Sequence, residues 1–151
     1  MFSDIRAAVV GSINMDLILN MKKVPDVGEN VLGTSYGNAS GGKGANQAIG
    51  LARLGAKVKM IGKVGDDANG EKLLANLKEN NVDVSSVAVN GSQTGLAAIL
   101  IDGDGKNRIV VYEGANAEIN AEEAKSSLTD TGLLLLQFET NEDVVIECVN
   151  K

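Results

Sequence analysis

Short apolar runs alternate with amphipathic segments along most of the chain. Residues 5–10 are almost continuously apolar and stop at Gly11-Ser12, as expected for a parallel strand buried on both faces. From 44 to 54 the apolar positions recur at helical spacing, and Gly55 stands where a C-cap glycine belongs. The alternation continues through strand 58–62, helix 68–80, helix 121–128, strand 133–137 and helix 141–150. This order predicts an α/β fold in which helices flank a parallel sheet.

Residues 82–113 interrupt the alternation, because they hold three strand-like segments with no helix between them. These segments are 84–89, 94–101 and 107–112. The run Asp102-Gly103-Asp104-Gly105 is typical of a tight turn between the last two. A further strand-like segment, 30–36, follows a loop marked by Pro25 and Gly28. We expect a small antiparallel sheet inserted into the main one.

The composition is that of one globular domain. The chain has 151 residues, 44% of them hydrophobic, and only one cysteine, Cys148, so it cannot form an internal disulfide. Residues 1–6 lack the apolar stretch of a signal peptide, and the longest apolar run, Leu133–Leu136, is far too short to span a bilayer. We therefore expect a cytoplasmic protein with no membrane segment.

Charge and residue usage exclude several classes of function. Lys and Arg total 14 against 20 Asp and Glu, and two Phe, two Tyr and no Trp leave few side chains to stack on bases. Nucleic acid is therefore not an expected partner. The absence of histidine excludes imidazole base catalysis, serine-histidine triads and most zinc sites. Acid or base chemistry would need carboxylates or lysine.

A glycine-rich turn, Gly41-Gly42-Lys43-Gly44-Ala45-Asn46, leads into the first predicted helix. Backbone N–H groups in a first helical turn lack helical partners, glycines allow a ligand to come close, and Lys43 adds charge, so the turn predicts an oxygen-rich ligand. The run 37–44 also satisfies the G-x-x-x-x-G-K pattern, but Gly44 stands where a P-loop needs a hydroxyl for magnesium. A structural helix start is more plausible than a triphosphate site, and a neutral-ligand site is more plausible again.

Polar residues follow two of the predicted strands at the edge where open α/β sheets bind ligands. Asn14 and Asp16, at i and i+2 of an extended segment, point the same way, and a carboxylate beside an amide can bind neighbouring hydroxyls. Glu139 comes just past strand 133–137. An ordinary Asx loop at Asn14 and a helix cap at Glu139 are the structural alternatives. The convergence of these elements with the glycine-rich turn favours a binding site.

Seven motifs together resemble the N-terminal half of the ribokinases in the PfkB carbohydrate kinase family. The resemblance spans essentially the whole chain, and the segment 41–65 fits the first signature of the family without a gap. The motifs are Gly11-Ser12-Ile13-Asn14-Met15-Asp16, Pro25-Asp26-Val27-Gly28-Glu29, Gly41–Asn46 with its spacing to Gly55 and Gly65, Val64-Gly65-Asp66-Asp67 with Gly70, Thr94-Gly95, Gly114-Ala115-Asn116, and Gln137-Phe138-Glu139.

The resemblance implies a fold and a sugar site. Residues 1–151 would form the N-terminal part of one ribokinase-like domain, whose strands within about 16–36 and 84–112 make a β lid that doubles as a dimer contact. Ala97 and Val111 could line the lid against the sugar ring. The implied substrate-binding residues are Asn14, Met15, Asp16, Gly42, Lys43, Gly44, Ala45, Asn46 and Glu139.

The resemblance also implies an activity for which this chain lacks essential parts. The complete enzyme would transfer the γ-phosphate of ATP to the 5-hydroxyl of D-ribose, with Mg²⁺ and K⁺. The family's second signature, Asp-Thr-x-Gly-Ala-Gly-Asp, supplies the base and an anion hole, and nothing in 1–151 matches it. The magnesium element and the ATP and potassium loops are missing as well. The resemblance therefore implies that the catalytic base lies beyond Lys151.

We therefore expect no catalytic or metal-binding residue on this chain, no strong binding of ATP, Mg²⁺ or K⁺, and no turnover by the chain alone. The alternative is a non-catalytic sugar-binding or dimerisation protein derived from a sugar kinase. In either case we expect self-association, through the lid or through an exposed sheet edge, for which Leu133–Leu136 is a candidate.

Overall fold

Two four-stranded sheets form the frame of the protein in a computed structural model, which describes residues 3–151. Met1 and Phe2, the first residues of the segment considered for a signal peptide, lie outside the described residues. In chain order the elements are β1 (Arg6–Val10), β2 (Asn14–Met21), β3 (Gly33–Gly41), α1 (Lys43–Arg53), β4 (Lys57–Gly65), α2 (Ala68–Glu79), β5 (Val82–Asn90), β6 (Gly95–Ile101), β7 (Asn107–Tyr112), a 3₁₀ helix (Gly114–Glu118), α3 (Ala121–Ser127), β8 (Leu133–Leu136) and α4 (Glu142–Val149).

The main sheet has the strand order β5-β4-β1-β8, and all of its pairings are parallel. Successive side chains of a strand point to opposite faces, so β1 supplies two cores. Ala7 and Val9 pack with α1 and α2 on one face, whereas Ala8 and Val10 pack with α3 and α4 on the other. The predicted α/β fold with helices flanking a parallel sheet is confirmed.

The second sheet, which we call the lid sheet, has the order β3-β2-β6-β7. Its outer pairs are antiparallel, as expected, but its central pair, β2 with β6, is parallel, so the sheet is mixed and not purely antiparallel. The two central strands can run in parallel because α1, β4, α2 and β5 lie between them in the chain and carry it back to the same end of the sheet. The predicted tight turn lies between β6 and β7, where the Gly105 N–H donates to the carbonyl of Asp102 at 3.0 Å. Leu133–Leu136 lies at the edge of the main sheet, as expected.

Two strands differ from the sequence-based expectation. Residues 84–89, expected in the antiparallel sheet, belong to β5 and pair in parallel with β4. The expected strand 30–36 begins only at Gly33 and continues to Gly41, where it runs almost directly into α1. The small and polar residues of β3 resemble a loop in sequence, and antiparallel pairing with β2 holds them extended. Gly55, with φ of +96°, ends α1 as predicted.

The last helix ends one residue earlier than the pattern of residues 141–150 predicts. Its final residue is Val149, and Asn150 is the C-cap, whose N–H still donates to the carbonyl of Ile146 at 3.1 Å. Lys151 follows outside the helix, and its Nζ donates to the carbonyl of Lys125 in α3 at 2.6 Å. The end of α4 and the residue after it are therefore held against α3.

Asp67 joins the main sheet to the lid sheet. Its carboxylate caps α2 by accepting from the Gly70 N–H at 2.8 Å, and it also accepts from the backbone N–H and the hydroxyl of Thr94, at 2.8 and 2.7 Å. Thr94 directly precedes β6, and its hydroxyl accepts from the Gly65 N–H at the end of β4. Partial burial raises the pKa of Asp67, but these hydrogen bonds outweigh it and lower the pKa below its usual value.

Among residues 3–151, no helix has both the length and the apolar character needed to cross a membrane.

We expect Asp67→Ala to lower the free energy of unfolding by about 1–2 kcal/mol at neutral pH, because it removes a helix cap and the bonds to Thr94. A depressed pKa stabilises the folded state above the unfolded pKa, so the deficit should shrink as the pH falls below about 4. Urea unfolding at a series of pH values measures it. The exposed neighbour Asp66→Ala is the control and should change little. A deficit that stays constant down to about pH 2 would contradict the role of the carboxylate.

Candidate functional site

The candidate site lies where the carboxyl ends of β1 and β8 meet the start of α1 and the start of β2. Ser12 follows β1, Glu139 follows β8, Lys43 is the first residue of α1, and Asp16 is the third residue of β2. Carboxyl ends of parallel strands are where open α/β sheets bind ligands. The topology therefore gathers polar side chains from four elements at the position predicted for the site.

Glu139 is held by residues of two other elements. Its Oε2 accepts from the hydroxyl of Ser12 at 2.7 Å, and its Oε1 accepts from Nζ of Lys43 in an ion pair. Ser12 is 1% exposed, so its hydroxyl is a fixed donor. Partial burial raises the pKa of Glu139, but the bonds from Lys43 and Ser12 hold the pKa below its usual value. Glu139 therefore stays ionised with its orientation fixed.

Asp16 forms no ion pair with any Lys or Arg side chain among residues 3–151. The pKa of Asp16 is raised above its usual value, mainly because the carboxylate is half-buried and to a lesser extent because of the negative charge of Glu139. Its carboxylate lies against Gly41 on the neighbouring strand, where a Cβ would overlap the carboxylate oxygens. An ionised carboxylate accepts hydrogen bonds only, so this group can be satisfied by O–H donors of a ligand.

The glycine-rich turn joins α1 closely to the end of β1. Gly42 has φ of +91°, and a Cβ there would lie 2.6 Å from the carbonyl oxygen of Ser12 and 2.8 Å from the backbone nitrogen of Asn14. The Ala45 N–H donates to the same Ser12 carbonyl at 3.0 Å. Only glycine fits at 42, both for its dihedral angle and for the space available.

The backbone donors of this turn are used within the protein, which differs from the expectation of a free donor pocket. The Asn46 N–H donates to the carbonyl of Gly42 at 2.9 Å, and the Gly44 N–H faces the hydroxyl of Ser12 at 3.5 Å. What the turn offers a ligand is therefore mainly the side chains of Lys43 and Asn46, both exposed.

The predicted site residues fall into three groups. Asp16, Lys43 and Glu139 come together, with Gly42 forming the turn beside them and Asn46 exposed on the first turn of α1. Asn14 lies on the same face of β2 as Asp16, and it is buried. Three predicted residues are buried and do not direct a side chain to the site: Met15 and Ala45 pack in the core of the main sheet, and Gly44 packs against Gly11.

Ala97 and Val111 lie in one row of the lid sheet with Asp16. The register pairs Asp16 with Ala97 and Ala97 with Val111, so the three side chains share a face. The same row ends at Ala39 on β3. An apolar strip therefore lies directly beside the free carboxylate, which is the position expected for the wall of a sugar site.

Two buried polar residues at the site received no role from sequence reasoning. Ser12 orients Glu139, and Asn116 donates from Nδ2 to Oδ1 of Asn14 at 2.7 Å. Both residues stand in motifs quoted above, but their partners lie more than a hundred positions away along the chain. The local signals were weak: Ser12 directly follows Gly11 at the end of a buried strand, and Asn116 stands two positions after Gly114.

The described residues do not fit a phosphate cradle or a metal centre. Residues 37–41 of the G-x-x-x-x-G-K run are in β3, and Gly44 has neither a hydroxyl nor space for one, because a Cβ would overlap the backbone of Gly11. Within 3–151, no group of three or more Asp, Glu, Cys or His side chains is arranged to hold a metal ion.

Known sugar kinases resemble this chain in sequence and fold. The profile described as "pfkB family carbohydrate kinase" matches residues 4–137. The ribokinase of Bacillus subtilis is 45% identical over 143 residues, covering 92% of this chain and 48% of that relative. The crystal structure of ribokinase from Thermotoga maritima matches with a TM-score of 0.89 at 31% identity, over 97% of this chain and 49% of that chain.

A plant enzyme adds ligands to the comparison. The structure of Arabidopsis thaliana ribokinase complexed with ribose and ATP matches with a TM-score of 0.81 at 29% identity, over 95% of this chain and 48% of that chain. The chain spans about half the length of the curated relatives it matches.

We expect Gly42→Ala to lower the free energy of unfolding by about 2 kcal/mol or more, because alanine adds strain at positive φ and overlaps the backbone at Ser12. Gly50→Ala in the middle of α1, with nothing within 4 Å of a Cβ, should instead gain about 0.5–1 kcal/mol. Thermal unfolding of the pair measures both changes. Equal stabilities of the two variants would show that the turn is not constrained as described.

Proposed function

Because the chain belongs to the pfkB family of carbohydrate kinases, we propose that it is the sugar-binding and lid part of a ribokinase-type enzyme. The complete enzyme would transfer the γ-phosphate of ATP to the 5-hydroxyl of D-ribose. The observation that carries the proposal is the pairing of a free, half-buried carboxylate, Asp16, with the apolar strip of Ala97 and Val111. The carboxylate accepts hydrogen bonds from the hydroxyls of a sugar, and the apolar strip packs against the sugar ring.

The charges of the side chains determine which of them would accept and which would donate hydrogen bonds to a sugar. Asp16 accepts hydrogen bonds from sugar hydroxyls, and Asn14, two residues earlier on the same face, extends the polar edge. Lys43 and Asn46 donate from the start of α1, and Glu139 takes a further hydroxyl while Ser12 holds it in place. A neutral polyol brings no charge to the site, which suits described residues among which the ammonium group of Lys43 is already paired with Glu139.

The chemical step itself is not assigned to these residues. No described residue is proposed as the base, which stays a prediction for residues beyond Lys151, and ATP would bring the phosphoryl group. The alternative, a non-catalytic sugar-binding or dimerisation protein, would need only the site and the lid sheet described above. We propose that the chain alone has no kinase activity.

We expect Asp16→Ala to weaken D-ribose binding at least tenfold, because hydrogen bonds to a charged acceptor contribute about 1.5–3 kcal/mol each. The raised pKa predicts that ribose affinity falls with decreasing pH already above the usual aspartate value of about 3.9. Isothermal titration calorimetry measures both effects. Asp104→Ala, in the exposed turn at the far end of the lid sheet, is the matched control and should bind ribose normally.

Unchanged ribose binding in Asp16→Ala would move the site elsewhere, and no binding by the unmutated chain would overturn the proposed function. A coupled assay of ATP consumption on the same samples separates the two candidates. Turnover of ribose by the purified chain would contradict the proposed inactivity.

The chain is also proposed to self-associate through the lid sheet. Four consecutive apolar residues of its edge strand β7 are exposed: Ile109, Val110, Val111 and Tyr112. An exposed apolar edge strand is a ready surface for pairing with a second copy.

We expect light scattering to give a mass above that of the 15.6 kDa monomer. Val110→Lys, which places a charge among the exposed apolar residues of β7, should shift the chain toward monomer. Leu133→Lys, at the edge of the main sheet, is the control and should leave the mass unchanged. The opposite pattern would move the contact to β8, and a monodisperse monomer would contradict self-association.

A further inference from the structure

Asn116 lies beside the proposed sugar site without facing it. It belongs to the 3₁₀ helix Gly114–Glu118, is 2% exposed, and contacts the segment between β1 and β2. Each polar atom of its side chain is hydrogen-bonded. A buried amide that is fully satisfied has a fixed orientation, and the neighbours of this one determine which orientation it is.

The backbone decides how the Asn116 amide is turned. The Ile13 N–H donates to its Oδ1 at 2.9 Å, whereas the carbonyl of Glu113, at 3.0 Å, and that of Ile13, at 3.3 Å, face its Nδ2. A backbone N–H can only donate and a backbone carbonyl can only accept. Turning the amide by half a rotation would therefore set donor against donor and acceptor against acceptor.

The orientation of Asn116 in turn decides that of Asn14. Nδ2 of Asn116 donates to Oδ1 of Asn14 at 2.7 Å, and Asn14 is 5% exposed. If Asn14 were turned over, two NH₂ groups would face each other in a buried place, which is costly. The oxygen of Asn14 is thus used inside the protein, and its NH₂ group remains for a ligand.

Gly95 makes room for this pair. The register sets Gly95 opposite Asn14, and a Cβ at 95 would overlap both Oδ1 of Asn14 and Nδ2 of Asn116. The first residue of β6, the first residue of β2 and the 3₁₀ helix therefore meet at a single buried hydrogen bond. The lid sheet and the segment before α3 are joined at this point.

We propose that Asn116 is a positioning residue that makes Asn14 a hydrogen-bond donor toward the sugar. The inference rests on the proposed ribose site and specifies its chemistry. Asn14 donates and Asp16, on the same face of β2, accepts, so a hydroxyl at Asn14 must act as acceptor. The site therefore takes a hydroxyl or carbonyl oxygen at this position and rejects an ammonium group, which has no lone pair to offer.

The first test needs no ligand. In a ¹⁵N,¹³C-labelled chain, NMR can detect coupling across a hydrogen bond between the donor nitrogen and the carbonyl carbon of the acceptor amide. We expect coupling from Nδ2 of Asn116 to Cγ of Asn14. Coupling in the reverse direction, from Nδ2 of Asn14 to Cγ of Asn116, or none at Nδ2 of Asn116, overturns the inference.

The second test uses the ligands. Asn116→Asp keeps the acceptor for the Ile13 N–H and removes the donor to Asn14, which is then free to turn its oxygen outward. Calorimetry compares D-ribose with 2-amino-2-deoxyribose and 3-amino-3-deoxyribose. We expect the unmutated chain to prefer ribose at least tenfold over one of the amino sugars, and Asn116→Asp to lose most of that preference. Asn120→Asp is the control, because Asn120 is the exposed N-cap of α3 and aspartate caps a helix about as well as asparagine.

The outcomes separate the two proposals. If Asn116→Asp weakens all three sugars by the same factor, Asn116 is merely structural and the inference is overturned. Ribose binding without any preference over the amino sugars overturns it as well, and leaves the sugar site standing. If the unmutated chain binds none of the sugars, the proposed function fails, and the coupling measurement alone decides the orientation of Asn14.

Discussion

The close approach of two backbone segments, 11–14 and 41–44, is the constraint on which the rest of the structure depends. Gly42 and Gly44 bring the start of α1 against the end of β1, leaving no space for a side chain at either position. Ser12 lies in the contact, where its carbonyl accepts from the first turn of the helix and its hydroxyl reaches Glu139. The packing of the core and the geometry of the site therefore depend on the same two glycines. By allowing α1 to pack against the end of β1, they also place Lys43 within reach of Glu139.

The two carboxylates of the site differ in their electrostatic surroundings, and their pKa values shift in opposite directions. Glu139 has a cation and a fixed hydroxyl, and its pKa is lowered, so its charge is compensated within the protein. Within the part of the chain that the structure describes, Asp16 has neither partner, and burial together with the charge of Glu139 raises its pKa. The carboxylate of Glu139 is thus satisfied within the protein, whereas that of Asp16 can accept hydrogen bonds from a ligand. Such a pair suits recognition of a neutral, hydroxyl-rich molecule better than binding of an anion or a metal ion.

The sequence predicted the elements that local pattern determines and missed those that distant pairing determines. β1, α1 and Gly55 could be read from periodicity and from a C-cap glycine. Of β3, only residues 33–36 were predicted as strand, because Gly37 and its small polar neighbours become a strand only through pairing with β2. β5 was assigned to the wrong sheet, since its pattern gives no indication of which strand lies beside it. Asp16, Lys43 and Glu139 were found by residue type and position, whereas the roles of Ser12 and Asn116 arise from contacts across the whole chain.

Met15 determines how the lid sheet can move. It stands next to Asp16 on β2, but its side chain points to the opposite face and packs in the core of the main sheet. The base of the lid sheet is therefore fixed to the body of the protein, and any opening has to bend the strands beyond this row, toward Ile18 and Ile109. Asp16 stands in one row with Ala97 and Val111, so bending of the strands beyond that row would leave the spacing between the carboxylate and this apolar strip unchanged.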